Sequence, residues 1–319
     1  MKLRRFLADN QIIVAVQHDT KWIPLNTIHG FSEYGNDVIR ILDQWQDIRP
    51  GLQSALADKR GDLSVVPEKA IPVLPFEVKS FRDFMLSETH VINAGRGIVK
   101  RFLPSKYPIV KLFEMFHTPF PMLKPKPIWY RQPIYYMGNH LNFVTNGAEI
   151  EWPLYTRALD YELEMGFVIT KALKNAGKEE ALAAIGGFVV VNDFSARDVQ
   201  MEEMKSGLGP QKSKHFINAV SAEVVPAEEV LPHVNDLSAA VRINGKAVCT
   251  TSTKNLYHSI SDILVHVSKS EQLYPGELFA TGTLPGGCAL ENDCWLNPGD
   301  EVELWIERIG KLTNTIGRV

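Results

Sequence analysis

Two acidic stretches with an apolar run between them hold the residues of this chain best suited to chemistry. The first is Asp160-Tyr161-Glu162-Leu163-Glu164-Met165, and the second, Asn192-Asp193-Phe194-Ser195-Ala196-Arg197-Asp198-Val199-Gln200, follows the run Gly187-Phe188-Val189-Val190-Val191. Side chains alternate between the faces of a β-strand, so Glu162 and Glu164 share one face while Tyr161, Leu163, Met165 and Phe167 take the other. Like charges side by side on an otherwise apolar strand are unfavourable unless a cation lies between them. Hard Mg²⁺ or Ca²⁺ prefers carboxylate oxygens, and Asp193, at the end of the next apolar run, supplies a third. This spacing predicts a divalent metal. The same alternation in Asp300-Glu301-Val302-Glu303-Leu304-Trp305-Ile306-Glu307 is expected to be an ordinary solvated sheet face.

The elements that must position these carboxylates are mostly short strands. They are expected over 157–170, 186–191, 216–225, 239–251, 277–281 and 301–307, with Asn244-Gly245 turning a type I′ hairpin. Helices are expected at about 178–184 and 261–268. Upstream, residues 1–65 read as a small α/β unit: two strand-like runs, 11–17 and 21–25, then an amphipathic helix from about Gly35 whose stripe is Val38, Ile39, Ile41, Leu42 and Trp45. Pro67, Pro72 and Pro75 mark an extended connector, which places the domain boundary between 65 and 66. Residues 81–96 read as a helical or lid segment. The proline-rich stretch 104–133 has little periodicity and reads as a long loop.

Composition sets outer bounds. The chain has 319 residues, 45% hydrophobic and 22% charged, with 34 basic against 37 acidic residues for a net −3. With no basic tract, nucleic acid and anionic membrane are poor partners, and a small-molecule substrate is the expected one. Cys249, Cys288 and Cys294 have no metal-finger spacing, and an odd number suits a reducing compartment. The first ten residues lack the apolar core of a signal peptide and no stretch has the length of a membrane span, so a cytoplasmic protein is expected.

Together, several blocks carry a family resemblance over roughly 70–319. They are Arg82-Asp83-Phe84-Met85-Leu86-Ser87-Glu88-Thr89-His90, the two acidic stretches, Gly207-Leu208-Gly209-Pro210-Gln211-Lys212-Ser213-Lys214-His215-Phe216, Ala280-Thr281-Gly282-Thr283, and Pro298-Gly299-Asp300-Glu301-Val302. In this order they resemble the fumarylacetoacetate hydrolase superfamily. The resemblance implies a β-rich α+β fold, with a mixed β-roll or distorted barrel as the catalytic domain (66–319), and a homodimer. It implies that Asp83 joins Glu162, Glu164 and Asp193 around one Mg²⁺, Ca²⁺ or Mn²⁺. On its own, Asp83 reads as a helix-surface charge.

The resemblance also makes His90 the general base. Glu291 is its best-matching carboxylate partner and Glu88 the rival. Imidazole titrates near neutral pH, and a carboxylate fixes its tautomer. Lys214 matches an oxyanion-stabilising position. Arg197, Gln200, Tyr136 and Thr283 match substrate contacts. Ser195 has no base in a Ser-His arrangement and is not a nucleophile. Met85, His215 and the 104–133 insertion depart from the family pattern near the pocket. The implied activity is metal-assisted hydrolysis of a carbon–carbon bond in a 1,3-dicarbonyl compound. Isomerisation, tautomerisation or decarboxylation of a 2-hydroxy-dienoate or 2-oxo acid through the same enolate is the alternative.

Overall fold

Pairing of alternating strands builds one twelve-stranded sheet and a separate five-stranded one, besides a two-stranded pair. The computed structural model describes residues 1–57 and 64–318. Nine strands lie along the main path of the large sheet: β1 (Leu3–Ala8), β2 (Gln11–His18), β3 (Lys21–Pro24), β4 (Ser80–Phe84), β5 (Tyr135–Gly138), β6 (Glu162–Ile169), β7 (Ile185–Asn192), β8 (Glu223–Pro226) and β9 (Glu277–Cys288). Their spatial order is β3-β2-β1-β8-β7-β6-β9-β4-β5. The fold is therefore mixed α/β and strand-rich. The path has two ends, and among the described residues it does not close into a barrel.

Strands β6 and β7 are buried along their whole length. That explains their nearly unbroken apolar sequences, since a strand covered on both faces has no solvent side for alternating polar residues. Glu162 and Glu164 are the exceptions on β6. The opposite face, with Tyr161, Leu163, Met165 and Phe167, lies in the main core together with Phe188, Phe279 and Leu304. A second core joins Leu3, Val14, Ile23, Ile41 and Leu52 of the first sixty residues to Val168, Val189, Val191 and Leu278. Residues 58–63, just ahead of the expected domain boundary, lie outside the described residues.

Helices α1 (Val38–Asp43) and α2 (Trp45–Ala57) replace the single helix expected from Gly35. Asp37 caps the first by accepting the Arg40 N–H, so the start falls three residues later than periodicity alone suggests. The segment 81–96 divides differently from expectation. Asp83 sits on β4, not on a helix, and α3 (Glu88–Phe102) begins only after Ser87, whose hydroxyl accepts the His90 N–H. Parallel pairing of Ser80–Asp83 with Glu277–Ala280 fixes the run as a strand, and burial of all but its first residue leaves no alternation to reveal its period.

The stretch 104–133 is also a correction. It forms helices over Tyr107–Met115 and Pro127–Arg131, plus short 3-10 turns, with prolines at their first positions. Proline is tolerated there because the first helical N–H groups lack partners in any case. Two further helices follow at the site, α4 (Arg197–Glu203) and α5 (Ala289–Asn292). Asn244 and Gly245 both take positive φ, as the hairpin signal requires. No helix among the described residues is long and apolar enough to cross a membrane.

Candidate metal centre and histidine–glutamate pair

Two strands and the turn after a third aim carboxylates at one point. Strand β6 brings Glu162 and Glu164, β4 brings Asp83, and the turn after β7 brings Asp193. One oxygen from each lies within 4.8 Å of all the others, and all four side chains are buried. Register irregularity makes this possible. Glu164 pairs with Thr283 but Gly166 with Ala280, so β9 carries an extra residue opposite Met165. Gly282 takes φ +80° there, and a Cβ on it would lie 2.2 Å from the Phe84 carbonyl oxygen. Only glycine fits both demands. The bulge turns Thr283 towards the cluster, where its hydroxyl donates to Glu164 Oε1 at 3.4 Å.

Charge at the cluster is not balanced by protein alone. The Lys214 ammonium donates to both Glu162 and Asp193. Arg197 donates through Nη2 to Glu162 Oε1 at 2.7 Å and through Nε to Asp160 Oδ2 at 2.7 Å. Burial pushes the Glu162 carboxyl up, but Arg197 and then Lys214 outweigh it and hold it below the usual carboxylate range. Asp83 and Glu164 have no such cation. Burial first, and then neighbouring carboxylates, push both well above that range. Burial also raises Asp193, against the pull of Lys214.

Asp83 Oδ1 and Glu164 Oε2 are buried with no hydrogen-bond partner. A buried carboxylate oxygen left unpaired costs free energy that folding does not offset without a ligand. Two such oxygens, in a set of oxygen donors only, fit a hard divalent cation.

Beside this cluster, the start of α3 meets α5. His90 Nδ1 lies 2.8 Å from Glu291 Oε2, with both side chains almost fully buried. Glu88 is engaged elsewhere, accepting a hydrogen bond from the Tyr130 hydroxyl. The approach of α3 to α5 depends on Gly97, whose Cβ, were there one, would lie 1.8 Å from the Leu290 carbonyl oxygen.

The remaining expected contacts surround the same centre. Tyr136 Oη donates to Asp193 Oδ2 at 2.8 Å, and its ring stacks on His215. Arg197 and Gln200 share one face of α4, and Arg197 Nη1 donates to Gln200 Oε1 at 2.9 Å. Each guanidinium nitrogen of Arg197 is thus committed to a protein acceptor, so it braces the site more than it offers itself to a ligand.

Asp160, not singled out from the sequence, ties the two halves together. It accepts from Arg197 and from the backbone N–H of Ala289 at 2.8 Å, fixing the start of α5 and so Glu291. Its signal was present: it lies two residues before Glu162, in the same parity as Glu162 and Glu164. Cys288, immediately before α5, was also unassigned, and its thiol contacts Glu291 Oε2 at 3.4 Å.

Residues 117–317 match the family model described as fumarylacetoacetate (FAA) hydrolase C-terminal. Oxaloacetate tautomerase FAHD2B, mitochondrial, of Homo sapiens is 30% identical over 248 residues, 77% of this chain and 72% of that protein. Among solved structures, the fumarylacetoacetate hydrolase of Exiguobacterium antarcticum has a TM-score of 0.70 at 20% identity, covering 100% of both chains. The maleylpyruvate hydrolase of Sphingobium sp. SYK-6, in complex with manganese(II) and pyruvate, has a TM-score of 0.67 at 15% identity, again over 100% of both chains. At such identities the structural likeness speaks to the fold.

Proposed function

This chain belongs to the fumarylacetoacetate hydrolase family, and on that premise we propose that it hydrolyses a carbon–carbon bond in a 1,3-dicarbonyl acid of the fumarylacetoacetate or acylpyruvate kind. The observation that carries this reading is the buried His90–Glu291 pair beside four converging carboxylates. A partnered imidazole is what a water needs to become a nucleophile at neutral pH. A divalent cation held by Asp83, Glu162, Glu164 and Asp193, with Mg²⁺, Ca²⁺ or Mn²⁺ suited to the oxygen donors, would polarise a substrate carbonyl as a Lewis acid.

The protein groups then divide the work. Glu291 accepts the Nδ1 proton of His90, which leaves the Nε2 lone pair free to take a proton from water. The resulting hydroxide attacks the carbonyl carbon, and the Glu291 carboxylate stabilises the imidazolium. Lys214, already beside Glu162 and Asp193, stabilises the tetrahedral oxyanion. When the carbon–carbon bond breaks, its electron pair leaves as an enolate, and His90 returns its proton to that carbon. Tyr136 and Thr283 border the centre and bind the substrate's oxygens, and Gln200 keeps its amide hydrogens for the same task. Arg197 holds Glu162 and Asp160 in place.

Relatedness to an oxaloacetate tautomerase favours a second reading, in which the same centre tautomerises, isomerises or decarboxylates a 2-oxo acid or 2-hydroxy-dienoate. That chemistry needs a proton shuttle but no nucleophilic water. Glu291→Gln separates the two. It is expected to lower cleavage by on the order of 10²-fold or more while sparing hydrogen–deuterium exchange at the carbon between the carbonyls. Equal loss of both would assign Glu291 to the fold or the metal. Unchanged cleavage would remove it from the site.

Gly97→Ala is expected to lower turnover by about 10²-fold, with metal content unchanged. The added methyl drives α3 away from the Leu290 backbone and stretches the His90–Glu291 contact, and misplacement on the scale of 1 Å can cost that much. Kinetics alongside metal analysis checks this. A variant with unchanged kcat would show that the helix contact does not set the pair.

A further inference from the structure

A second group of ligating side chains lies next to the carboxylate cluster and shares none of its members. His90, Cys288 and Glu291 each offer one ligand atom, all within 4.8 Å of one another. Within that group His90 Nδ1 is 2.8 Å and Cys288 Sγ 3.4 Å from Glu291 Oε2. These separations approach the edges of a zinc tetrahedron, about 3.3 Å between nitrogen and oxygen and about 3.5 Å between sulfur and oxygen for ordinary bond lengths. An independent observation points to a ligand here as well. Glu291 Oε1 has no partner, although its side chain is only 2% exposed. A cation chelated by both oxygens of that carboxylate would satisfy it.

We propose that His90, Cys288 and Glu291 form a distinct site for a borderline-soft transition metal, Zn²⁺ above all, and that filling it switches the histidine off. Donor chemistry separates this site from the first. Sulfur and imidazole nitrogen favour Zn²⁺ over Mg²⁺ or Ca²⁺, whereas the four-carboxylate set does the reverse. Three protein donors leave a fourth position for water, which suits a reversible occupant better than a structural one.

The inhibition follows from the tautomer. Zinc on Nδ1 displaces the proton now shared with Glu291, and a neutral imidazole must then carry its hydrogen on Nε2. The lone pair that would receive a proton from water is gone. Binding also requires the thiolate, so the Cys288 proton leaves for solvent, about one proton per ion at neutral pH. Only the inhibitory consequence rests on His90 being the base; the binding does not.

Cobalt(II) is the probe, added to the intact protein with its first centre saturated by Mg²⁺. A thiolate-to-cobalt charge-transfer band in the near ultraviolet is expected, saturating near one ion per chain and chased by Zn²⁺. An all-oxygen site cannot give that band. Cys249→Ala and Cys294→Ala should keep it, and Cys288→Ala should lose it. His90→Ala, which leaves the buried thiol untouched, should weaken cobalt binding by on the order of tenfold or more. Absence of the band in the unaltered protein, or its survival in Cys288→Ala, overturns the site whatever turnover does. A normal band with turnover unaffected by Zn²⁺ overturns the switch, and with it the role given to His90.

Discussion

Glu164→Ala is expected to lower turnover by on the order of 10³-fold and to leave the protein without its divalent cation. Glu164 is the carboxylate most dependent on that cation. It is fully buried, its Oε2 has no partner, and its strongest contact is a long hydrogen bond from Thr283. Glu162 and Asp193 are ion-paired with Lys214 when the metal is absent, whereas Glu164 has no direct ion pair. Its removal deletes a ligand without stranding another charge, so the variant should fold and should even gain stability in the metal-free state. Lewis-acid assistance is worth several kcal/mol, and each 1.4 kcal/mol or so is tenfold in rate. Chelation of the unaltered protein should reproduce the loss, and Mg²⁺ or Mn²⁺ should reverse it. Native metal content in the variant, measured by elemental analysis, would contradict the assignment.

His90→Ala is expected to lower turnover by about 10²–10⁴-fold with metal content intact, the usual range for loss of a general base. The pair lies beside the carboxylates but supplies none of them, so binding and proton transfer should separate cleanly. The substitution also leaves Glu291 with only the Cys288 thiol on Oε2 and nothing on Oε1, which adds a modest cost in stability. Kinetics and metal analysis on one preparation decide the matter. Normal turnover would move the proton shuttle elsewhere, with Glu88 and its Tyr130 contact the first place to look.

How much of this was legible in the sequence depended on the range of the interaction. Glu162-Leu163-Glu164 and Glu301-Val302-Glu303 have the same alternation and opposite fates. The first is buried on β6 between two neighbouring strands, while Glu301 is exposed and Glu303 pairs with Lys311. What distinguished them was the apolar run leading to Asp193, because it announced a second buried strand alongside. Asp83 could not be found that way. Its five-residue strand is fixed by pairing with a segment almost two hundred residues later, and only the family resemblance pointed to it. Glu291 lies 201 residues from His90, beyond any local spacing argument, and again the resemblance named it.

Elements set by local physics fared better. The Asn244-Gly245 hairpin and the helices Lys178–Ala183 and Ile260–Val267 fall where turn chemistry and periodicity place them. The proline-rich stretch 104–133 has too little periodicity to show its helices, although proline at the first positions of short helices is compatible with them. The bulge at Gly282 leaves no periodic trace at all, yet it sets the position of Thr283.

Hydrolysis at this centre means that one water is added across a carbon–carbon bond. Its most direct test is mass analysis of the products formed from an acylpyruvate by the Mg²⁺-loaded protein. Two acids are expected, their masses summing to that of the substrate plus one water, formed only when the divalent ion is present. A single product of unchanged mass, or one that has merely lost carbon dioxide, would contradict it.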